Sequence, residues 1–343
     1  MARLALLAIS IVTLQSCGGS APARSVADAS TPDGAQQTRD SAVAERVQPL
    51  WLAENSGSTD YLFSIWGSGP TDVYVADANY NPPQSGGILH STGDGTWVRQ
   101  TNGITGPVQA VWGSGSNDIY ASSAAMLHST GDGIWTQQPT GVVQTTYAIW
   151  GTGPDNVYIV GGYDNVGTIL HSPGDGSWTV QATVNANLNM IWGSGSTDIY
   201  VVGVGEIGST FTGDISRSQG NGTWSSQTLN PNPGTSNVWG SSSSDVYITG
   251  PSGSVLHSAG DGTWTSESTG QPNTNGIYAI WGSGPDDIYI GGDGGTILHM
   301  TGGGTWTKES TPGADIVIQA MWGSGPDDVY AVGNGTILHR RTN

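Results

Sequence analysis

The chain has 343 residues, with 54 Gly and 14 Trp, and 27 Asp and Glu against 9 Lys and Arg give a formal net charge of −18. A surface so acidic repels phosphate backbones and anionic lipid, which excludes nucleic acid as a partner. Charged residues make up only 10%, but the aromatic content excludes a disordered chain and, with so much Gly, predicts many short strands joined by tight turns.

The first elements are targeting signals. Arg3 precedes an apolar run from Leu4 to Leu14, too short to span a bilayer as a helix, and the run ends at Ser16-Cys17. Leu14-Gln15-Ser16-Cys17 resembles the lipobox of bacterial lipoproteins, which implies lipidation at Cys17, the only cysteine in the chain. Residues 1–16 are therefore expected to be a signal peptide. Residues 17–47, rich in Ala, Ser, Asp and Gln and free of aromatics, are expected to be the lipidated Cys and a flexible tether. The expected location is the cell envelope, at the outer membrane or cell surface, with membrane contact only through the lipid.

Residues 48–343 repeat. A Trp-Gly pair recurs at Trp66, Trp112, Trp150, Trp192, Trp239, Trp281 and Trp322, at spacings of 46, 38, 42, 47, 42 and 41 residues. Eight positions after each Trp stands Tyr, and six positions after it stands Asp, except for Asn156 in the third repeat. A second Trp closes six units, and seven residues before it stands His, or Arg217 in the fourth. The seventh unit ends at His339 without its second Trp, while Trp51 lies 15 residues before Trp66, a gap like the 14 to 17 found elsewhere.

Within one unit, such as residues 277–309, four runs of β-branched and aromatic residues are punctuated by Gly-, Asp- and Pro-rich turns, the first spanning Gly282 to Asp286. Four antiparallel strands in about 42 residues make a propeller blade. We label them a to d from first Trp to second Trp. The fold class is all-β, a single seven-bladed β-propeller, its ring closed by an N-terminal strand around Trp51 that completes the last blade.

The unit Ile280-Trp-Gly-Ser-Gly-Pro-Asp-Asp-Ile-Tyr, followed by Gly-Thr-Ile-Leu-His and Gly-Thr-Trp, resembles propeller repeats of secreted and surface-anchored bacterial proteins. Ser91-Thr-Gly-Asp-Gly-Thr-Trp97 is similar to the Asp-box turn of sialidase-like and lectin-like propellers, one residue shorter. The resemblance covers residues 48 to 343 and implies the fold; propellers host unrelated activities.

Residues that recur in six or seven copies read as architecture rather than as a catalytic site. The Asp is expected to hold the a–b turn, the Tyr to pack between blades with its hydroxyl paired, and the His to act as a buried strut. No metal site is expected, because equivalent histidines on separate blades lie too far apart for one ion, and no cofactor is expected. Gly-Ser-Gly after the first Trp precedes a strand rather than the helix that a phosphate loop needs.

Chain direction places a–b and c–d turns on one face of the disc and b–c and d–a loops on the other. Length varies only on the second face, where loops Asp77 to Gly87 and others differ blade by blade. Tyr80, Asn81, Tyr163, Asn165, Asn187, Asn232 and Asn275 on that face are candidate ligand-binding residues, since amide and phenol groups with few charges suit neutral hydroxylated ligands. The expected function is a non-enzymatic, surface-anchored binding module with multivalent, lectin-like recognition of carbohydrate. The alternative is an envelope scaffold that docks a protein partner. The expected partners are surface glycans or an envelope protein, and the body is expected to be monomeric. A glycosidase is disfavoured: Arg99, Arg217, Arg340 and Arg341 are not grouped near the axis, and Glu206, on a b–c loop, has no evident partner for paired-carboxylate chemistry.

Overall fold

The repeats build blades through a bulge rather than a simple turn. In blade 6, strand a (Ile277–Gly284) runs through Trp281-Gly282-Ser283-Gly284 and pairs with strand b (Asp287–Gly292), with a register shift between Gly282 and Gly284. Strand c is Ile297–Met300 and strand d Trp306–Lys308. The predicted turn thus shrinks to two residues, Pro285 and Asp286, and the extra residue Ser283 is a β-bulge. Its Oγ donates to Asp287 Oδ2 at 2.5 Å. The same shift at the same place occurs in all seven blades.

The computed structural model describes residues 50–142, 145–207, 210–229, 232–271, 275–313 and 316–341. Their strands form seven four-stranded antiparallel sheets, a seven-bladed β-propeller. One sheet combines Leu50–Glu54 with Thr336–Arg341, Asp328–Gly333 and Ile318–Gly325. In it Trp51 pairs with Arg340 and Leu52 with His339, so the displaced strand d closes the ring. Cys17 and the signal and tether segments lie outside the described residues.

No common centre holds the blades. Seven separate apolar clusters are buried, each drawn from two adjacent blades; one joins Tyr74, Ala76 and Ile88 to Val111, Ile119 and Trp135. Nearest the axis, the Trp of each Trp-Gly pair lies against the Gly of the next. A Cβ on Gly67 would meet Trp322 Cη2 at 2.6 Å, one on Gly113 would meet Trp66, one on Gly151 would meet Trp112, and so round to Gly323 against Trp281. These glycines are not in the left-handed region. They are required for close approach of an indole, not for turning.

The outer layer is a second repeated lattice. The strand-b Asp accepts from the bulge Ser and from His Nε2 on strand c, as in Ser68–Asp72–His90, with His-to-Asp distances of 2.6–2.9 Å. The imidazole stacks on the strand-b Tyr, with centroids 3.6–4.7 Å apart. In blade 4 the Arg217 guanidinium takes both roles, pairing with Asp198 and lying over Tyr200. The second Trp of one blade packs edge-on against the Tyr of the preceding blade, as Trp97 does on Tyr330 at 6.1 Å. Its Nε1 donates to the Gln or Glu three residues past the preceding second Trp, as in Trp97 to Glu54 and Trp135 to Gln100, except at Trp306, whose Nε1 is buried without a partner. The expected pairing of every Tyr hydroxyl does not hold: those of Tyr200 and Tyr289 are buried without a partner. Each of these rings lies under a guanidinium, that of Arg217 or Arg340.

The lattice titrates unevenly. Burial disfavours charge on His299 and His339, but Asp287 with Glu309, and Asp328 with Glu54, outweigh it and raise both imidazoles above the ordinary 6.5. Burial likewise opposes charge on those carboxylates, and their hydrogen bonds to His hold all four below their ordinary values. His171, facing Asn156 instead of Asp, is lowered by burial.

Two outcomes are expected. Gly193→Ala drives a methyl into Trp150 and the Asp198 carbonyl and should cost about 1–3 kcal/mol. Gly195→Ala, two residues on and with nothing within 4 Å, should be near neutral in the same urea denaturation; equal losses would remove the close-approach argument. Stability from the raised imidazoles is complete below 6.5 and is lost as pH rises through their folded values. Stability from the depressed carboxylates is complete above 4.5 and is lost as pH falls. Melting temperature should therefore peak between those limits, and Asn156→Asp should move the His171 NMR titration upward.

Candidate functional site

Strand a is innermost in every blade, so its residues face the axis at fixed depth. Three positions before each Trp-Gly stand Phe63, Gln109, Tyr147, Asn189, Ser236, Tyr278 and Gln319. Together these seven line one funnel of about 370 Å³ that opens on the variable face. They share a backbone position but hold five different side chains. No Asp, Glu, Lys or Arg lines the funnel among the described residues. One level deeper, Ile65, Val111, Ile149, Ile280 and Met321 line a narrower space of about 150 Å³ with apolar side chains.

The funnel is built of uncharged donors and acceptors between rings. Phe63 meets Tyr80 edge-on at 5.9 Å and stacks with Tyr61 at 5.8 Å. Gln109 Nε2 donates to Tyr80 Oη at 2.7 Å, while Gln109 Oε1 is buried without a partner. Asn237 Nδ2 donates to the Tyr278 carbonyl at 2.9 Å. Burial raises the phenols of Tyr80 and Tyr147, as it does that of Tyr278, so all three stay protonated donors.

A groove of about 710 Å³ adjoins the funnel over blade 2 and shares Tyr80 and Gln109 with it. It lies where the whole b–c hairpin is shortest: strands Asp118–Ser122 and Met126–Ser129 put His128 only 10 positions after Asp118, against 11 to 19 between the equivalent positions of the other blades, which leaves a notch in the rim. Tyr163 stands at the far side, 68% exposed.

The candidate residues read from the loops fall in different places. Tyr80 belongs to funnel and groove, and Tyr163 to the groove. Asn81 is exposed outside both, its N–H donating to Asn79 Oδ1 at 2.8 Å. The Asn165 N–H donates to Asn187 Oδ1 at 3.2 Å, across a tight hairpin in which Asp164 and Asn165 have positive φ. Asn232 takes the N–H groups of Gly213 and Gly234 and donates to the Gly213 carbonyl. Asn275 lines a separate crevice of about 290 Å³ on blade 6. Short amide side chains near glycine loops readily satisfy backbone groups, which is what occupies Asn187 and Asn232.

Two loop assignments change. Asp77 is not in a loop but fully buried in strand b, Asp72–Asn79, ion-paired with Arg99, so the first b–c loop is only residues 80–84. Glu206 lies in the long strand Asp198–Ile207, opposite Phe211, because strands b and c of blade 4 continue to their tip; its side chain is outside the described residues. Arg217, Arg340 and Arg341 sit on strand c, away from the funnel, and each makes an ion pair.

The repeated Ser, Asp and His invite comparison with a nucleophilic triad. In a triad the imidazole stands between hydroxyl and carboxylate so that it can take the proton. Here the carboxylate stands between, and the serine has no contact with the base. Funnel residues were accessible to sequence reasoning through one signal: a constant offset from an invariant Trp-Gly combined with changing identity.

No family model matches the sequence, and no curated protein matches it. Solved structures do. YCF48 bound to a D1 peptide is 18% identical, with a TM-score of 0.69, over 85% of this chain and 96% of that one. Catalytically inactive virginiamycin B lyase from Staphylococcus aureus with quinupristin is 14% identical, with a TM-score of 0.72, over 86% and 100%. The WD40 propeller domain of Doa1 is 10% identical, with a TM-score of 0.64, over 86% and 98%. At such identities the likeness is one of fold. It nevertheless overturns the expectation of a non-enzymatic body: the same frame is that of a lyase as well as of a protein bound to a peptide, and the fold does not separate the two.

Proposed function

We propose that the propeller binds one protein partner through its variable face, with the axial funnel as the anchoring site. The observation that supports this most is the contrast between two sets of equivalent positions. Trp, Gly, Tyr and the Asp–His pair repeat nearly unchanged, whereas the seven funnel positions hold Phe, Gln, Tyr, Asn, Ser, Tyr and Gln. Like sites on like blades, as multivalent lectin binding requires, would need those positions to repeat as well. One asymmetric, uncharged, concave site suits one ligand in one orientation. The peptide complex of a protein of the same fold is consistent with such a use of the frame.

A single-site glycan reading stands second, on the Tyr, Asn and Gln lining. The lipobox-like segment ending at Cys17 is part of the proposal too: it would place the partner in the cell envelope, on the exported side.

The test is site-specific photocrosslinking in cells. A photoreactive residue at Tyr147 or Gln319 should give one discrete protein adduct, and the same group at Ile134, 49% exposed on the opposite face, should give none. Equal labelling from both faces, or none from the funnel alongside a hit on a neutral glycan array, would count against a protein partner.

A further inference from the structure

We infer that the ligand of the variable face is an extended, uncharged peptide segment that enters the funnel sideways, through the notch over blade 2. This rests on the single-partner reading above and deepens it.

Four observations converge. The first is adjacency: funnel and groove are both lined by Tyr80 and Gln109, so this hydrogen-bonded pair of side chains stands where the axial space meets the one that runs to the rim. The second is asymmetry of the exposed aromatics. The tyrosines exposed on the described surface are Tyr61, Tyr80, Tyr147 and Tyr163, all in blades 1 to 3 and on this face. Tyrosines supply rigid contact area at little entropic cost, and three of these four, Tyr80, Tyr147 and Tyr163, line the funnel or the groove.

The third is charge. A chain with net charge −18 presents neither Asp, Glu, Lys nor Arg along this space among the described residues. A charged segment entering it would lose hydration without an ion pair in return, so the occupant is neutral. The fourth is the junction itself. Gln109 is held by Tyr80 through Nε2 and leaves Oε1 buried and unpartnered, which awaits an N–H or O–H donor at the point any occupant must cross.

Peptide fits better than sugar along the groove. Ala124, Met126, Pro107, Pro139 and Val142 make much of it apolar. Sugar hydroxyls against them would be desolvated without partners, whereas aliphatic or prolyl side chains would be buried favourably. Along the same path Gln109 Oε1 offers an acceptor, Gln138 keeps its amide N–H donors while its oxygen accepts from Trp178 Nε1, and Gln84 adds a further carboxamide, so donors and acceptors together face a peptide group.

The test pans a phage library of random linear peptides on the immobilised full chain and measures the enriched peptides by calorimetry. Uncharged, apolar-rich sequences should emerge. Their affinity should fall about tenfold or more in Ala124→Trp, which fills the notch from an exposed position, and in Gln109→Met, which removes the buried acceptor. An unchanged melting temperature of Ala124→Trp keeps that loss interpretable. Binding retained in Ala124→Trp but lost in Gln319→Trp would overturn the sideways path while leaving the axial site. Enrichment of charged sequences, or of none, would overturn the neutral-peptide class, as would neutral oligosaccharides binding in its place with loss in Gln109→Met. Indifference to both tryptophan variants would overturn this path and the axial site together.

Discussion

Seven indoles resting on seven glycines are the constraint on which the ring depends. Each Trp of strand a fills the space that a side chain on the next Trp-Gly would occupy, so the pitch between blades is set by the thickness of an aromatic ring against bare backbone. Interiors this densely packed tolerate neither a missing nor an extra methyl cheaply. Because the contacts form a closed circuit, an error at one interface must be absorbed by the others. The outer Ser–Asp–His and Trp–Tyr contacts then orient blades whose spacing is already fixed.

That division explains what the frame leaves free. Everything that repeats is committed to spacing and orienting blades: the Trp-Gly end of strand a, strands b, c and d, and the turns of the constant face. What does not repeat collects at the axial mouth and in the b–c and d–a connections. A funnel assembled from seven equivalent positions can differ in side chain from blade to blade, because those positions line a space rather than fill the packed interface between blades, even where Gln109 reaches across to Tyr80. The same frame is found in a protein bound to a peptide and in a lyase, and at this level of likeness the frame itself carries no activity.

The fold was legible because its determinants recur. Trp spacing gave the blade count, and Trp51 disclosed the closing strand, since one second Trp was missing at the other end. Gly282 and its equivalents were harder. A glycine before Ser and Gly looks like part of a turn, and only the neighbouring blade shows that it lies in a strand and yields to an indole. The site was less legible for a related reason. Loop residues draw attention because they vary, yet Asn187 and Asn232 spend their amides on nearby backbone. Phe63, Tyr147 and Gln319 look ordinary within their own strands, and their meaning appears only when seven segments, 38 to 47 residues apart, are brought around one axis.

The shared seventh blade has a further consequence. Strand d of every blade begins at the c–d turn, and Leu50, which opens strand d of the last blade, pairs with Arg341 at the end of strand c. Both residues therefore sit at the rim of the constant face, side by side. Neither end of the ring emerges where the funnel opens. A tag, a surface linkage or a second domain joined at either end would leave the mouth of the funnel unobstructed and turned outward. The geometry that locks the ring also keeps both of its ends on the face opposite the funnel.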